Sequence, residues 1–239
     1  MPGALLNCIT CSGRGRCAAL RICMLQPLNT KHEPIDINLN EASKPIGQRY
    51  HWGKIETMTI GYGHGFSITP MHLAVAYSSI LNGGYKKNPK IILKTNNKKN
   101  KQIIKTTTSD YIATLLRAVI QETVFTGPRI KITGYDIGGK TGTAELTNNQ
   151  GIYDKDLNRT IFVGAFPMYQ PKYLILTFID KPKRIKEENF SITSASVNAP
   201  LVKNIILRMI EILNLPKKHS ETILNAATSI NYNNFNAIN

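Results

Sequence analysis

A lysine, two threonines and a glycine stand together at Lys140-Thr141-Gly142-Thr143, directly after Ile137-Gly138-Gly139. The chemistry open to such a run is recognition of an anion at the end of an extended peptide. Lysine is a compact cation with three donors. Each threonine hydroxyl can donate to a carboxylate. Gly142 lacks a Cβ, so a peptide can lie against the strand and extend it. The N–H of Thr143 can complete an oxyanion hole, a contact worth on the order of 3 kcal/mol in a transition state. Acyl transfer would also need an activated nucleophile. No serine of this chain has a lysine three residues later.

The elements around the run follow from pattern. Tyr135 to Leu146 reads as the strand that carries it. Asn148-Asn149-Gln150-Gly151 reads as a turn. Thr160 to Phe166 and Tyr173 to Ile179 are dense in β-branched and aromatic residues, as strands are. The short gap between them holds Pro167 and Pro171 and suits an antiparallel hairpin. Upstream, Thr69-Pro70 is a helix start, with Leu73, Ala76, Tyr77, Ile80 and Leu81 at helical spacing and Gly83-Gly84 at its end. Thr108 or Ser109 is expected to cap a second helix bearing Ile112, Leu115, Leu116, Val119 and Ile120, closed by Gly127-Pro128. Asn198 and Pro200 are expected to open a third helix that stops before Pro216. Lys90 to Lys94 is strand-like, and Asn96 to Lys101 reads as a solvated hairpin tip. Ile55 to Ile60 is a short strand candidate before a glycine turn, Gly61 to Gly65. Helices followed by three strands and a covering helix predict an α+β fold, an antiparallel β-sheet flanked by helices.

The 239 residues carry 30 basic and 15 acidic side chains, a net charge of +15. That favours anionic partners, yet the basic residues fall in short solvated clusters. No nucleic-acid recognition signature is present, and no basic stripe interleaves with aromatics. No apolar run reaches the ~20 residues of a membrane span. Nor does Ala4 to Ile9 make a signal core, being short and followed by Arg14, Arg16 and Arg21. The cysteines are Cys8, Cys11, Cys17 and Cys23. Their spacing lacks the second tight pair or histidine partners that structural zinc takes, so no metal site and no cofactor is expected. Residues 1–28 differ sharply in composition from the remainder and read as an atypical segment outside the domain. Residues 29–215 read as one domain, which the resemblance given below implies is partial, and 216–239 as a polar tail.

Two other motifs carry little. Gly61-x-Gly63-x-x-Phe66 lacks the third glycine of a dinucleotide fingerprint. None of His32, His51, His64, His72 and His219 pairs at a metal-binding helical spacing, and no Gly-x-Ser-x-Gly elbow is present.

From about Ile35 to Leu215 the chain resembles the C-terminal half of the transpeptidase domain of class B penicillin-binding proteins, the division-type peptidoglycan transpeptidases. The likeness is carried by Trp52-Gly53-Lys54-Ile55-Glu56 and by Gly61-Tyr62-Gly63-His64-Gly65-Phe66-Ser67-Ile68-Thr69-Pro70. It continues through Leu73-Ala74, Ala76-Tyr77 and Asn82-Gly83-Gly84. Gly139-Lys140-Thr141-Gly142-Thr143-Ala144 matches the family's third catalytic motif. Phe162-Val163-Gly164-Ala165-Phe166-Pro167 matches the strand after it, and Ala199-Pro200 the opening of the last helix.

The resemblance implies serine-type D,D-transpeptidation, in which the D-Ala-D-Ala end of a stem peptide acylates the enzyme and is passed to a neighbouring amine. Lys140, Thr141, Gly142 and Thr143 would line the cleft and bind stem peptide or β-lactam. The full-length family works at the periplasmic face of the inner membrane. Partners expected on this basis are the other half of the domain or division proteins; nucleic acid is not among them. The first motif, Ser-x-x-Lys, is absent. Ser196-Val197-Asn198 and Ser229-Ile230-Asn231 fit the second, Ser-x-Asn, but both follow Lys140 and read as chance matches, the first as a helix cap. The expectation is a fragment inactive on its own. Two alternatives are a non-catalytic peptidoglycan-binding module and a fragment of a class D-like β-lactamase or sensor.

Overall fold

A computed structural model describes residues 35, 37, 68–91, 101–124, 126–148, 150–183 and 191–217. The cysteine-rich segment to residue 28, Trp52 to Phe66, the expected strand Ile55–Ile60, Asn96 to Asn100 and the tail from residue 218 lie outside them. The chain divides into two compact units, with the boundary between Leu115 and Leu116.

In the first unit, α1 spans Pro70–Leu81. Thr69 caps it, its hydroxyl oxygen accepting from the His72 backbone N at 3.3 Å and lying 2.7 Å from His72 Nδ1. Pro70 takes the first position, where a missing N–H costs nothing. The buried stripe differs from the expected one. Val75, Ala76, Ile80 and Leu81 are buried with His72 and Ser79, while Leu73 and Tyr77 are only half-buried. Ser79 tolerates burial because its hydroxyl donates to the Val75 carbonyl at 2.7 Å, one turn back. Gly83 and Gly84 end the helix at φ +81° and +88°.

Helix α2 spans Thr106–Glu122, two residues earlier than its expected cap. Ser109 is buried within it and serves α1 instead. Its hydroxyl donates to the Ile80 carbonyl and accepts from Gly83 N at 3.1 Å. Backbone groups left open at the end of α1 are thereby satisfied. Lys90 and Ile91 do not form a strand; the local pairing is a bridge between Tyr85 and Gln102.

The second unit holds the sheet. Gly127-Pro128 opens a short helix, α3 (Gly127–Ile130), rather than only closing α2. Three strands follow: β1 (Gly138–Thr147), β2 (Tyr153–Phe166) and β3 (Tyr173–Asp180), antiparallel in the order β1-β2-β3. The expected turn joins β1 to β2, with Gly151 N donating to the Asn148 carbonyl at 3.0 Å. Thr143 stands opposite Thr160, and Thr141 opposite Phe162. Beyond Glu145↔Asn158 the register jumps to Leu146↔Asp154, so the ladder skips residues 155–157 of β2.

Side chains alternate across a strand, so Thr141, Thr143, Thr160, Phe162 and Thr177 share one face. Helix α4 (Ser194–Ile212) packs on the sheet. It places Ala199, Val202 and Ile206 in one core with Phe162, Phe166 and Ile175. Ile120, Ile130 and Ile137 complete that core. The helix begins at Ser194, not at Asn198 or Pro200, and Pro200 lies inside it. A capping box explains the earlier start. Thr193 Oγ1 accepts from Ser196 N at 3.3 Å, and Ser196 Oγ accepts from Thr193 N at 3.0 Å.

Arg159 and Asp180 close one end of the β2–β3 ladder. They are cross-strand neighbours with Nε–Oδ1 at 2.6 Å. The hydrogen bond from Arg159 holds the Asp180 carboxyl below its usual range. Its stabilisation is therefore present at neutral pH and lost as pH falls through that lowered pKa. Both groups face water, so the effect is small.

Gly139 and Gly164 are directly opposed across β1 and β2. A Cβ on Gly139 would lie 2.4 Å from Phe162 Cζ and 2.8 Å from the Val163 carbonyl oxygen. Gly139→Ala is expected to lower unfolding stability by about 1–3 kcal/mol, as overpacking does. Urea denaturation of both proteins measures it; equal midpoints would contradict the packing described.

Candidate active-site strand

The start of β1 is set before the strand begins. Arg117 on α2 donates from Nε to Asp136 Oδ1 at 2.6 Å, and Met168 N donates to the Asp136 carbonyl at 2.9 Å. Asp136 is only 4% exposed at its side chain. The next residue, Ile137, is buried in the core. Residues 136–139 are thus tied to α2, to the β2–β3 connection and to the sheet, and the run at 140–143 projects from that anchored base.

β1 pairs with β2, and among the described residues nothing pairs with its other edge. Alternation separates the four site residues. Lys140 and Gly142 lie on the face of Val163 and Ile161, while Thr141 and Thr143 lie on the face of Phe162 and Thr160. Lysine and threonines can serve one ligand only where both faces are reached, at the strand edge. Lys140 is exposed and its Nζ donates to the Thr141 carbonyl at 2.8 Å. Gly142 has a second reason for lacking a Cβ: one would lie 2.8 Å from Ile161 Cγ2.

Thr143 is exposed at the end of the run. Its Oγ1 accepts from the Ser194 backbone N at 2.9 Å, and Ser194 Oγ donates to the Ile161 carbonyl at 2.6 Å. The first residue of α4 is therefore built into the strand that carries the site. Sequence reading passed over Ser194. The available signal was the cluster Thr193-Ser194-Ala195-Ser196, small polar residues ahead of an apolar helical stripe.

Ser196-Val197-Asn198 does not approach a catalytic role. The cap of α4 is Thr193 rather than Ser196, which sits at the third helical position and completes the capping box. Asn198 is fully buried, its Nδ2 donating to Thr177 Oγ1 at 2.9 Å and to the Thr177 carbonyl at 3.2 Å. Ser229-Ile230-Asn231 lies outside the described residues. A cavity of about 450 Å³ lined by Tyr135, Phe166, Pro167, Tyr169, Lys172 and Pro216 includes none of Lys140 to Thr143. Among the described residues, no three metal-ligating side chains cluster. No described helix is long and apolar enough to cross a membrane.

Residues 32–207 match the family described as the penicillin binding protein transpeptidase domain. The chain belongs to that family. Among curated relatives, the peptidoglycan D,D-transpeptidase FtsI of Buchnera aphidicola is 31% identical over 169 residues, covering 69% of this chain and 28% of the relative. Stage V sporulation protein D of Bacillus subtilis is 32% identical over 166 residues, covering 64% of this chain and 24% of the relative. The chain thus spans between about a quarter and a third of the length of the curated relatives it matches first. Among solved structures, the transpeptidase domain of Burkholderia pseudomallei penicillin-binding protein 3 superposes with a TM-score of 0.72 at 24% identity. It covers 91% of this chain and 62% of that one. Penicillin binding protein 3 of Mycobacterium tuberculosis, solved with ampicillin, gives 0.70 at 24% identity, over 86% of this chain and 47% of that one. These likenesses establish the fold: the α+β sheet and helices of a transpeptidase domain.

Asp136→Ala would leave the Arg117 guanidinium without its carboxylate and free the approach to β1. A loss of about 2–3 kcal/mol is expected, below the full cost of breaking a buried pair because Arg117 is partly in water. Thermal unfolding of the variant tests this; an unchanged midpoint would mean the pair does not hold the strand.

Proposed function

We propose that this chain is the substrate-binding part of a peptidoglycan D,D-transpeptidase domain. Its β1 edge receives the carboxylate end of a stem peptide or of a β-lactam. One observation carries the reading: the Lys-Thr-Gly-Thr run of the family lies on a strand edge that no described strand pairs with, and Lys140 and Thr143 are exposed there. Lys140 supplies charge. Thr141 and Thr143 supply hydroxyl donors, and Gly142 leaves room for a peptide laid along the strand. The Thr143 N–H is the oxyanion donor in this scheme.

The nucleophile is the missing participant. No serine here has a lysine three residues on, and the described Ser-x-Asn lies in the first turns of α4, with Ser196 in its capping box. Covalent catalysis thus requires groups beyond those in this sequence, from the other part of a transpeptidase domain. The cellular setting in this reading is wall cross-linking during division, on the periplasmic face of the inner membrane. Division proteins are candidate partners.

Incubation of the purified chain with a fluorescent penicillin tests this. No covalent adduct is expected. A stoichiometric, hydroxylamine-sensitive adduct would refute the inactivity of the isolated chain and require another nucleophile.

A second reading, a non-catalytic module that holds an acidic wall polymer, is favoured by the net charge of +15 and the exposed Lys140. Sedimentation with purified peptidoglycan separates the two. Retention at low salt that disappears in Lys140→Ala but withstands excess Nα-acetyl-D-Ala-D-Ala supports the module, and no retention at any salt disposes of it.

A further inference from the structure

We infer that Ser194 is a positioning residue for ligand binding at Thr143, an inference that rests on the carboxylate-binding reading above. A threonine hydroxyl has one proton and two acceptor positions. In this structure one acceptor position is filled by the Ser194 backbone N–H at 2.9 Å. The hydroxyl proton cannot point along that line and is directed elsewhere. Thr143 is exposed, so its proton is available to an incoming acceptor, and a carboxylate is an acceptor with no proton of its own to offer. A hydroxyl that already accepts a hydrogen bond is also polarised toward donating one.

The Ser194 side chain fixes the backbone that does this. Its Oγ donates to the Ile161 carbonyl at 2.6 Å, and Ile161 stands opposite Gly142 in the ladder. Thr193 and Ser196 close the capping box on either side. Ser194 is itself buried, at 1% exposure, so it positions Thr143 without meeting the ligand. The resulting chain runs from the Ile161 carbonyl through Ser194 Oγ, along the residue to its N–H, and on to Thr143 Oγ1. Each donor in it has one acceptor, which leaves the Thr143 hydroxyl proton as the donor of that chain still open to a ligand. The site then prefers a carboxylate over a carboxamide, whose NH₂ group would face a donor.

The test is a double-mutant cycle read as ligand preference. The full chain is titrated by NMR with Nα-acetyl-D-Ala-D-Ala and with its C-terminal amide, and the ratio of the two affinities is recorded. Thr143→Val is expected to reduce the carboxylate preference about tenfold, the scale of a hydrogen bond to a charged group. Ser194→Ala is expected to reduce it several-fold in the wild-type background and not at all in the Thr143→Val background. Ser194→Thr, which keeps the hydroxyl, is expected to restore it. An equal loss from Ser194→Ala in both backgrounds would make Ser194 merely structural and overturn the inference. A wild-type chain with no preference for carboxylate over amide would overturn the carboxylate-binding reading and this inference with it. A measurement independent of ligand is the hydrogen exchange of the Ser194 amide. Faster exchange in Thr143→Val supports the link, and unchanged exchange overturns it.

Discussion

Two glycines meet across β1 and β2, and between them there is no room for a methyl group. The ring of Phe162 occupies the space that a Cβ on Gly139 or Gly164 would claim, with Phe162 Cζ 2.4 Å from one such position and 2.9 Å from the other. That ring, 1% exposed, is a centre of the core shared by the sheet and α4. With glycines rather than side chains beneath the ring, Ala199, Val202 and Ile206 of α4 share its core. That packing brings the first residue of α4 within hydrogen-bonding reach of Thr143 and Ile161. A packing constraint in the centre of the sheet thus sets a hydrogen bond at its edge.

The polar groups under α4 follow the same logic. A helix laid on a sheet must satisfy whatever polar side chains it buries. Asn198 does so from its amide nitrogen, donating twice to Thr177, while its Oδ1 stays buried without a hydrogen-bond partner; Asn158 donates from Nδ2 to the Ile192 carbonyl at 3.3 Å. Such bonds fix rotation and height of the helix more sharply than apolar contact alone, because a small shift leaves a buried group unpaired. Hydrophobic burial holds α4 on the sheet, and the polar contacts choose where on the sheet it sits.

Much of this was legible in the residues. Three strands, their antiparallel hairpin and the capped helix at Thr69-Pro70 follow from local pattern, and the family follows from collinear motifs. Where the reading went astray, long-range pairing had outweighed local signal. Ser109 looks like a cap by residue type, yet it closes the end of a different helix 29 positions away in sequence. Pro200 looks like a helix opening, yet the Thr193–Ser196 box starts the helix six residues before it. Of the candidate site, the placement of the Lys140 to Thr143 run on a strand was legible, and its division between two faces follows from strand period. Ser194 was not, because its importance lies in a backbone N–H, which every residue but proline possesses.

The skipped residues in β2 have a bearing on how the site can change over time. A strand ladder transmits register rigidly, and a slip of one residue turns every side chain to the opposite face. The jump from Glu145↔Asn158 to Leu146↔Asp154 interrupts that transmission just past the run. It works as a slip joint between two lengths of one hairpin. Residues added or removed at the tip between Thr147 and Tyr153 are absorbed there, and Thr143 keeps its place opposite Thr160. The outer hairpin is free to vary in length and composition while the Lys140 to Thr143 edge stays in step with the helix behind it.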